Sequence, residues 1–292
     1  MKALIFGINS QDGYYLQQLC HRNNIACIGI SRSQGPWIGG DVADTAFVRG
    51  IIKLHQPEYI FHFAANSTTR HTALFENHQT ISTGSLNILE AVFNESPASK
   101  VFLTGSGVQF ENNGQPISEK TNFEASSAYS VARIQSVYAA RYYRSLGLRV
   151  YVGYLFHHES IFRKETHISK RIAEAAKRIH KGSNEILEIG DLNVKKEWGY
   201  AADIASGIFS LVRQDTIWEA TIGTGRAYSI RDWVETCFGL INRNWTDFVV
   251  TKNDFRAEYP LLVSNPSTIN NLGWFPTVNF EDLAKKMLHD EI

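Results

Sequence analysis

The chain has 292 residues, with 29 Lys+Arg against 29 Asp+Glu and so no formal net charge. A chain of this length buries a core that needs neither metal nor disulfide staples, and it holds one large α/β domain or a main domain with a smaller appended one. The charge balance lacks the basic excess with which nucleic-acid binders neutralise phosphates, so nucleic acid is not an expected partner.

The three cysteines, Cys20, Cys27 and Cys237, are odd in number and have no Cys-x-x-Cys spacing. They give neither a disulfide framework nor a metal site. The opening MKALIFG turns polar too soon for a signal peptide or a membrane span. The expectation is a cytoplasmic chain without a membrane partner.

In chain order, Lys2–Phe6 is a short apolar run that reads as a buried strand, followed by a turn over 7–13 and a helical pattern through Tyr15, Leu16, Leu19 and Cys20. Further apolar runs at 25–30, 59–63, 101–103 and 150–154 predict four more strands. Helical stretches at 46–54, 84–93 and 129–145 lie between them. Strands alternating with helices predict an α/β fold: a doubly wound parallel sheet of Rossmann type with helices on both faces. Past about residue 155 the alternation breaks down into a helix at 167–180, a strand at 186–189, a helix at 202–211 and an aromatic, less regular remainder. The expected division is a dinucleotide-binding domain of 1–155 plus roughly 190–215. A discontinuous α/β substrate lobe takes 156–189 and 216–292.

The turn Gly7-Ile8-Asn9-Ser10-Gln11-Asp12-Gly13 joins the first strand to the first helix. In a doubly wound fold this turn presents backbone N–H groups and a helix N-terminus to a dinucleotide pyrophosphate, and its glycines keep side chains off the phosphates. Ser10 occupies the middle glycine position. The second strand ends in Arg32, where an NAD-preferring site carries an acid for the ribose 2′-hydroxyl. An arginine there meets a 2′-phosphate, so the expected cofactor is NADP, with NAD as the alternative. Asp41 and Val42 are placed beside the adenine, and Ala64 and Ala65, after the third apolar run, complete the cofactor set.

GINSQDGYYL at 7–16, SSAYSVAR at 126–133, LFHHES at 155–160, EWGYAADI at 197–204 and LGW at 272–274 follow one another over nearly the whole chain. In that order they resemble the GDP-mannose 4,6-dehydratases and are similar to the GDP-4-keto-6-deoxy-mannose reductases, both extended short-chain dehydrogenase/reductases. The resemblance implies an NADP-binding core, a GDP-linked sugar in the C-terminal lobe, and a homodimer or homotetramer built through 84–93 and 129–145.

It also implies catalytic positions. The tyrosine of the family's Tyr-x-x-x-Lys motif falls on Tyr129, and its lysine position holds Arg133. The family's Ser-Thr-x-Glu stretch falls on Ser106-Gly107-Val108-Gln109, placing Gly107 at the threonine and Gln109 at the glutamate. A 4,6-dehydratase needs a titratable group to remove a C5 proton and expel the C6 hydroxyl, and a glutamine amide cannot do this. Hydride exchange at C4 needs less. Tyr129 can relay the proton, Arg133 lies on the same helix face and brings a positive charge and donors to the cofactor ribose, so that both count as cofactor-binding too, and Ser106 offers a hydroxyl.

At the substrate end, His157-His158-Glu159 lacks a third spaced ligand, so metal is not expected. The resemblance places His157 near the sugar nucleotide, with Lys196 and Trp198 in the following Lys-Glu-Trp stretch and Arg256 on the diphosphate. Lys170 and Arg171, in a basic segment over 163–178, are candidates to steer a diphosphate; the alternative is a solvated amphipathic helix. Three readings follow: C4 oxidation or reduction of a nucleotide-linked hexose, a true dehydratase with a relocated base, and a catalytically silent binding homologue.

Overall fold

The computed structural model describes residues 1–252 and 257–290. Seven strands form the main sheet: β1 (Lys2–Phe6), β2 (Ala26–Ser31), β3 (Ile38–Gly39), β4 (Tyr59–His62), β5 (Lys100–Ser106), β6 (Arg149–Leu155) and β7 (Glu219–Ile222). Their spatial order is β7-β6-β5-β4-β1-β2-β3, every pair parallel. The principal helices are α1 (Gln11–Arg22), α2 (Thr45–His55), α3 (Gly84–Glu95), α4 (Ala128–Ser145), α5 (Ile168–His180), α6 (Ala201–Val212), α7 (Ile230–Leu240) and α8 (Phe280–His289).

Helices on both faces explain why the strands are continuous apolar runs. Along β1, Ala3 and Ile5 enter one core, shared with α1 and α6, while Leu4 and Phe6 enter the other, shared with α2, α3 and α4. The side-chain period of two sends neighbours to opposite faces, so β1 is buried twice over. Its register places Leu4 between Ile28 and Ile60 at the centre of the sheet. The order reverses between β1 and β4, so the C-terminal ends of these strands border a crevice at the switch point.

The structure departs from the expected division in two places. Glu219–Ile222 lies in the stretch assigned to the lobe, yet it pairs with β6 as the last strand of the main sheet. Lys195–Glu197, assigned to the dinucleotide domain, instead joins Ala227–Ser229 and Leu261–Leu262 in a small three-stranded sheet of the lobe. Leu187–Ile189 pairs with Val249–Thr251 beside it, and α5, α7 and α8 pack on one another. Among the described residues no helix is long and apolar enough to cross a membrane.

Glu219 fastens the edge strand to α4. Its carboxylate accepts from Arg141 Nε at 2.9 Å and Tyr154 OH at 2.6 Å, and it also bonds Arg144. Burial would raise its pKa, but the bonds from Arg141, Tyr154 and Arg144 outweigh burial and hold it down at about 2. A depressed carboxylate contributes stability that is present above its unfolded pKa and lost as pH falls through the folded one. Glu219→Gln should therefore cost about 2–4 kcal/mol at neutral pH, since it leaves two guanidinium groups short of a counter-charge. Urea melts from neutrality to about pH 2 should show a shallower acid limb for the variant.

Candidate functional site

The crevice begins at the turn after β1. Gly7 has φ +85°, and a Cβ there would come within 2.5 Å of the Ala64 amide nitrogen. A Cβ on Gly13 would meet the Gly7 carbonyl oxygen at 2.6 Å. Any other residue at either position would push the turn off the end of β4 or off α1. Ser10 is the N-cap of α1: its Oγ accepts from Gly13 N at 3.0 Å and donates to Gly7 O at 2.8 Å. The serine at the middle glycine position thus closes the turn on itself. Among the described residues the amides of Asn9, Gln11 and Asp12 find no acceptor in the protein. This is a helix N-terminus with free donors, the arrangement that binds an anion.

The side chains of Gln11 and Asp12 are engaged with the 158–160 segment and leave the backbone amides to face a ligand. Gln11 bonds His158 O and Ser160 Oγ, and Asp12 pairs with His158. Arg32 stands half-exposed at the end of β2, 3.2 Å from Glu76 and 3.9 Å from Asp41. Asp41 also accepts from Ala43 N, while Val42 is buried and gives its carbonyl to Asn87. Ala64 abuts Gly7, and Ala65 continues to the next cluster.

That cluster holds Tyr129, near the start of α4, packed with Ile81, Ala132, Ala65 and Val108. The Arg133 guanidinium sits 5.0 Å from the Tyr129 ring centroid. Its Nη1 donates to Thr104 O at 2.6 Å, and its buried Nε has no partner among the described residues. Arg133 is therefore anchored to the end of β5 and not free to swing.

Gln109 is fully buried, and its Oε1 accepts from Ser106 N at 2.8 Å across the short turn Gly107–Gln109. It serves that turn, and its amide brings no titratable proton. Val108 is the residue of the turn that packs beside Tyr129. Gly107 is bare because a Cβ would lie 2.8 Å from the Phe156 ring.

Where the 157–160 segment meets the lobe, Lys196 Nζ donates to His157 Nε2 at 2.7 Å, and Glu159 Oε1 lies 2.6 Å from the same nitrogen. One ring nitrogen cannot serve both, and Glu159 Oε1 is left buried without a hydrogen bond. Burial, then the Lys196 charge, hold His157 down at about 3, so the ring is neutral. Burial would raise Glu159, but the Arg163 and Lys196 charges outweigh it and keep the carboxyl well below its usual range. Burial pushes Lys196 down to about 8.

Two expected substrate contacts are corrected. Trp198 is core: it stacks on Trp233 at 4.5 Å between centroids and donates its indole N–H to Tyr228 O. Lys170 lies 2.7 Å from Glu174 and 3.6 Å from Asp290, so its charge is answered within the lobe. Arg171 donates to Glu188 O, and α5 begins at Ile168, after the first part of the basic segment. Arg256 lies outside the described residues.

Sequence comparison adds an independent finding: residues 4–287 match the family described as GDP-mannose 4,6 dehydratase. A relative from Arabidopsis thaliana, GDP-mannose 4,6 dehydratase 1, is 27% identical over 99% of this chain and 89% of its own length. Among solved structures, the UDP-glucose 4-epimerase of Thermotoga maritima with UDP-glucose superposes with a TM-score of 0.87 at 20% identity, covering 99% of this chain and 98% of that one. The structure of RMD from Pseudomonas aeruginosa complexed with NADPH gives 0.84 at 18% identity, over 99% and 97% of the two chains. Both share this fold.

The buried lysine yields a prediction. With its folded pKa below the unfolded one, Lys196 carries a penalty below about 8 that is relieved as pH rises toward 10.5. Lys196→Met should raise unfolding free energy at neutral pH by about 1–3 kcal/mol, and the gain should shrink in alkaline melts. A loss of stability would show that the ammonium supports the fold.

Proposed function

This chain belongs to the GDP-mannose 4,6-dehydratase family, and we propose that it is an NADP-dependent oxidoreductase acting at C4 of a GDP-linked hexose in the cytoplasm. The observation that carries this reading is the amide of Gln109, buried and held by its Oε1 on Ser106 N at the position of the family's glutamate. Proton exchange at the C4 oxygen needs only the Tyr129 hydroxyl. Elimination across C5 and C6 needs a further acid or base, and an amide is neither.

The turn fits a dinucleotide. Gly7 and Gly13 leave no side chain over it, and three amides are free to meet a pyrophosphate. When bound, a nicotinamide dinucleotide supplies the hydride carrier. Arg32, half-exposed after β2 where an NAD site carries an acid, supports a 2′-phosphate and hence NADP over NAD, a phosphate that would take the guanidinium from Glu76 and Asp41. The Pseudomonas structure was complexed with NADPH, and the Arabidopsis relative is named for a GDP-sugar. In the lobe, His157 and Lys196 are the remaining candidates for the sugar nucleotide.

Tyr129 gives the proton to the C4 oxygen or takes it away. Arg133 keeps a fixed positive charge against its ring. The anchoring of Arg133 to Thr104 O favours a second reading, a protein that binds both ligands without turnover. Incubation with GDP-mannose and NADP⁺ should give no loss of water by mass, while NADPH should be consumed with a 4-keto GDP-sugar. Tyr129→Phe should lower that rate by about 10²–10⁴ and leave cofactor binding intact. Loss of water would establish a dehydratase, and saturable binding without turnover on either substrate would favour the second reading.

The reading includes a homodimer. Leu86 and Phe93 on α3 and Tyr138 and Tyr142 on α4 are 42–60% exposed on two helices that pack side by side. Four large apolar side chains on one paired surface suit self-association about a twofold axis. Sedimentation should give about twice the 33.0 kDa chain mass, and Leu86→Arg with Tyr142→Arg should return it to the monomer.

A further inference from the structure

Two motifs that stand far apart in the sequence, GINSQDGYYL at 7–16 and LFHHES at 155–160, form a single contact. Gln11 Nε2 donates to His158 O at 3.3 Å, and Gln11 Oε1 accepts from Ser160 Oγ at 2.9 Å. His158 Nε2 lies 2.8 Å from Asp12 Oδ1, and its Nδ1 lies 2.6 Å from Phe156 O. A backbone carbonyl only accepts, and so does an ionised carboxylate, so both ring nitrogens must donate. His158 is therefore an imidazolium, buried against the first turn of α1. Asp12 belongs to that turn, and its amide is one of the free donors of the phosphate-binding site. Left unpaired, its carboxylate would set a negative charge beside any diphosphate there and oppose the helix N-terminus.

We propose that the Asp12–His158 ion pair positions and neutralises the diphosphate-binding turn, so that protonation of His158 sets the affinity for the dinucleotide. This rests on the reading that the turn receives one. Neither residue is a catalytic group, and both act through the amides of the turn. Next to His158, its neighbour in sequence, His157, faces Lys196 in the lobe, so the 157–160 segment touches both ends of the crevice.

The charges facing the pair agree with this assignment. Burial would raise Asp12, but His158, Arg163 and Arg133 outweigh it and lower its pKa. Burial would lower His158, but the Asp12 charge prevails over burial and the Arg163 charge and raises it. Arg163 and Arg133 are arginines and keep their protons throughout. The pair is thus intact between the depressed carboxyl and the raised imidazole, and it is lost as pH rises through the latter.

The test is calorimetric titration with NADH, which lacks the titrating 2′-phosphate of NADPH, at about pH 6 and about pH 9. Wild-type affinity should fall on the order of tenfold between them. Asp12→Asn should remove the pH dependence, and His158→Gln should bind at both values as the wild type does at the higher one. A purely structural role would lower melting temperature and leave the pH slope in place, which would overturn the proposal. Nitrogen-detected NMR of the wild type, which needs no variant, should show the His158 ring doubly protonated at about pH 6.5. A neutral ring, or equal NADH affinity at both pH values, would also overturn it. Failure of the wild type to bind NADH or NADPH at any pH would instead remove the reading beneath it.

Discussion

The molecule depends on one close approach, the backbone of Gly7 against the Ala64 amide where β1 and β4 end side by side. Without a Cβ at Gly7 the chain turns straight off β1, and without one at Gly13 the helix α1 rests on the turn itself. Ser10 then caps the helix from within. These contacts aim three free amides at the crevice between the two central strands. Ala65 continues from Ala64 toward Tyr129, and the first turn of α1 holds the 157–160 segment that reaches into the lobe.

The binding framework and the chemistry follow different logics here. The turn presents free amides and Arg32 a guanidinium, while Lys196 and Glu159 sit in a buried ionic cluster whose charges answer one another. Tyr129 packs on alkyl groups beside a tethered guanidinium. On the proposed reading the turn meets the dinucleotide and Tyr129 the C4 oxygen. Anchoring Arg133 by a backbone carbonyl satisfies part of a buried cation at the cost of its mobility.

Much of the fold was legible because β strands buried on both faces are short apolar runs, and five of the seven main-sheet strands have that form. Glu219–Ile222 escaped because a four-residue edge strand with a charged first residue leaves no periodic signal. In the site, glycine spacing and the position of Tyr129 located the right region. Direction was not legible. Gln109 is a lone amide in the sequence, and only the geometry of a tight turn shows that its Oε1 is held on Ser106 N. Trp198 and Lys170 sit in stretches near the expected substrate, yet one faces an aromatic core and the other an acidic neighbour. The Asp12–His158 pair joins residues 146 apart in sequence, and nothing in either motif announces the partner.

The most direct test of this account is a crystal structure with NADP(H) and a GDP-hexose bound together. The account predicts the pyrophosphate on the amides of Asn9, Gln11 and Asp12, and the Tyr129 hydroxyl within hydrogen-bond reach of the C4 oxygen. A dinucleotide bound elsewhere, or a carboxylate standing against C5, would contradict it.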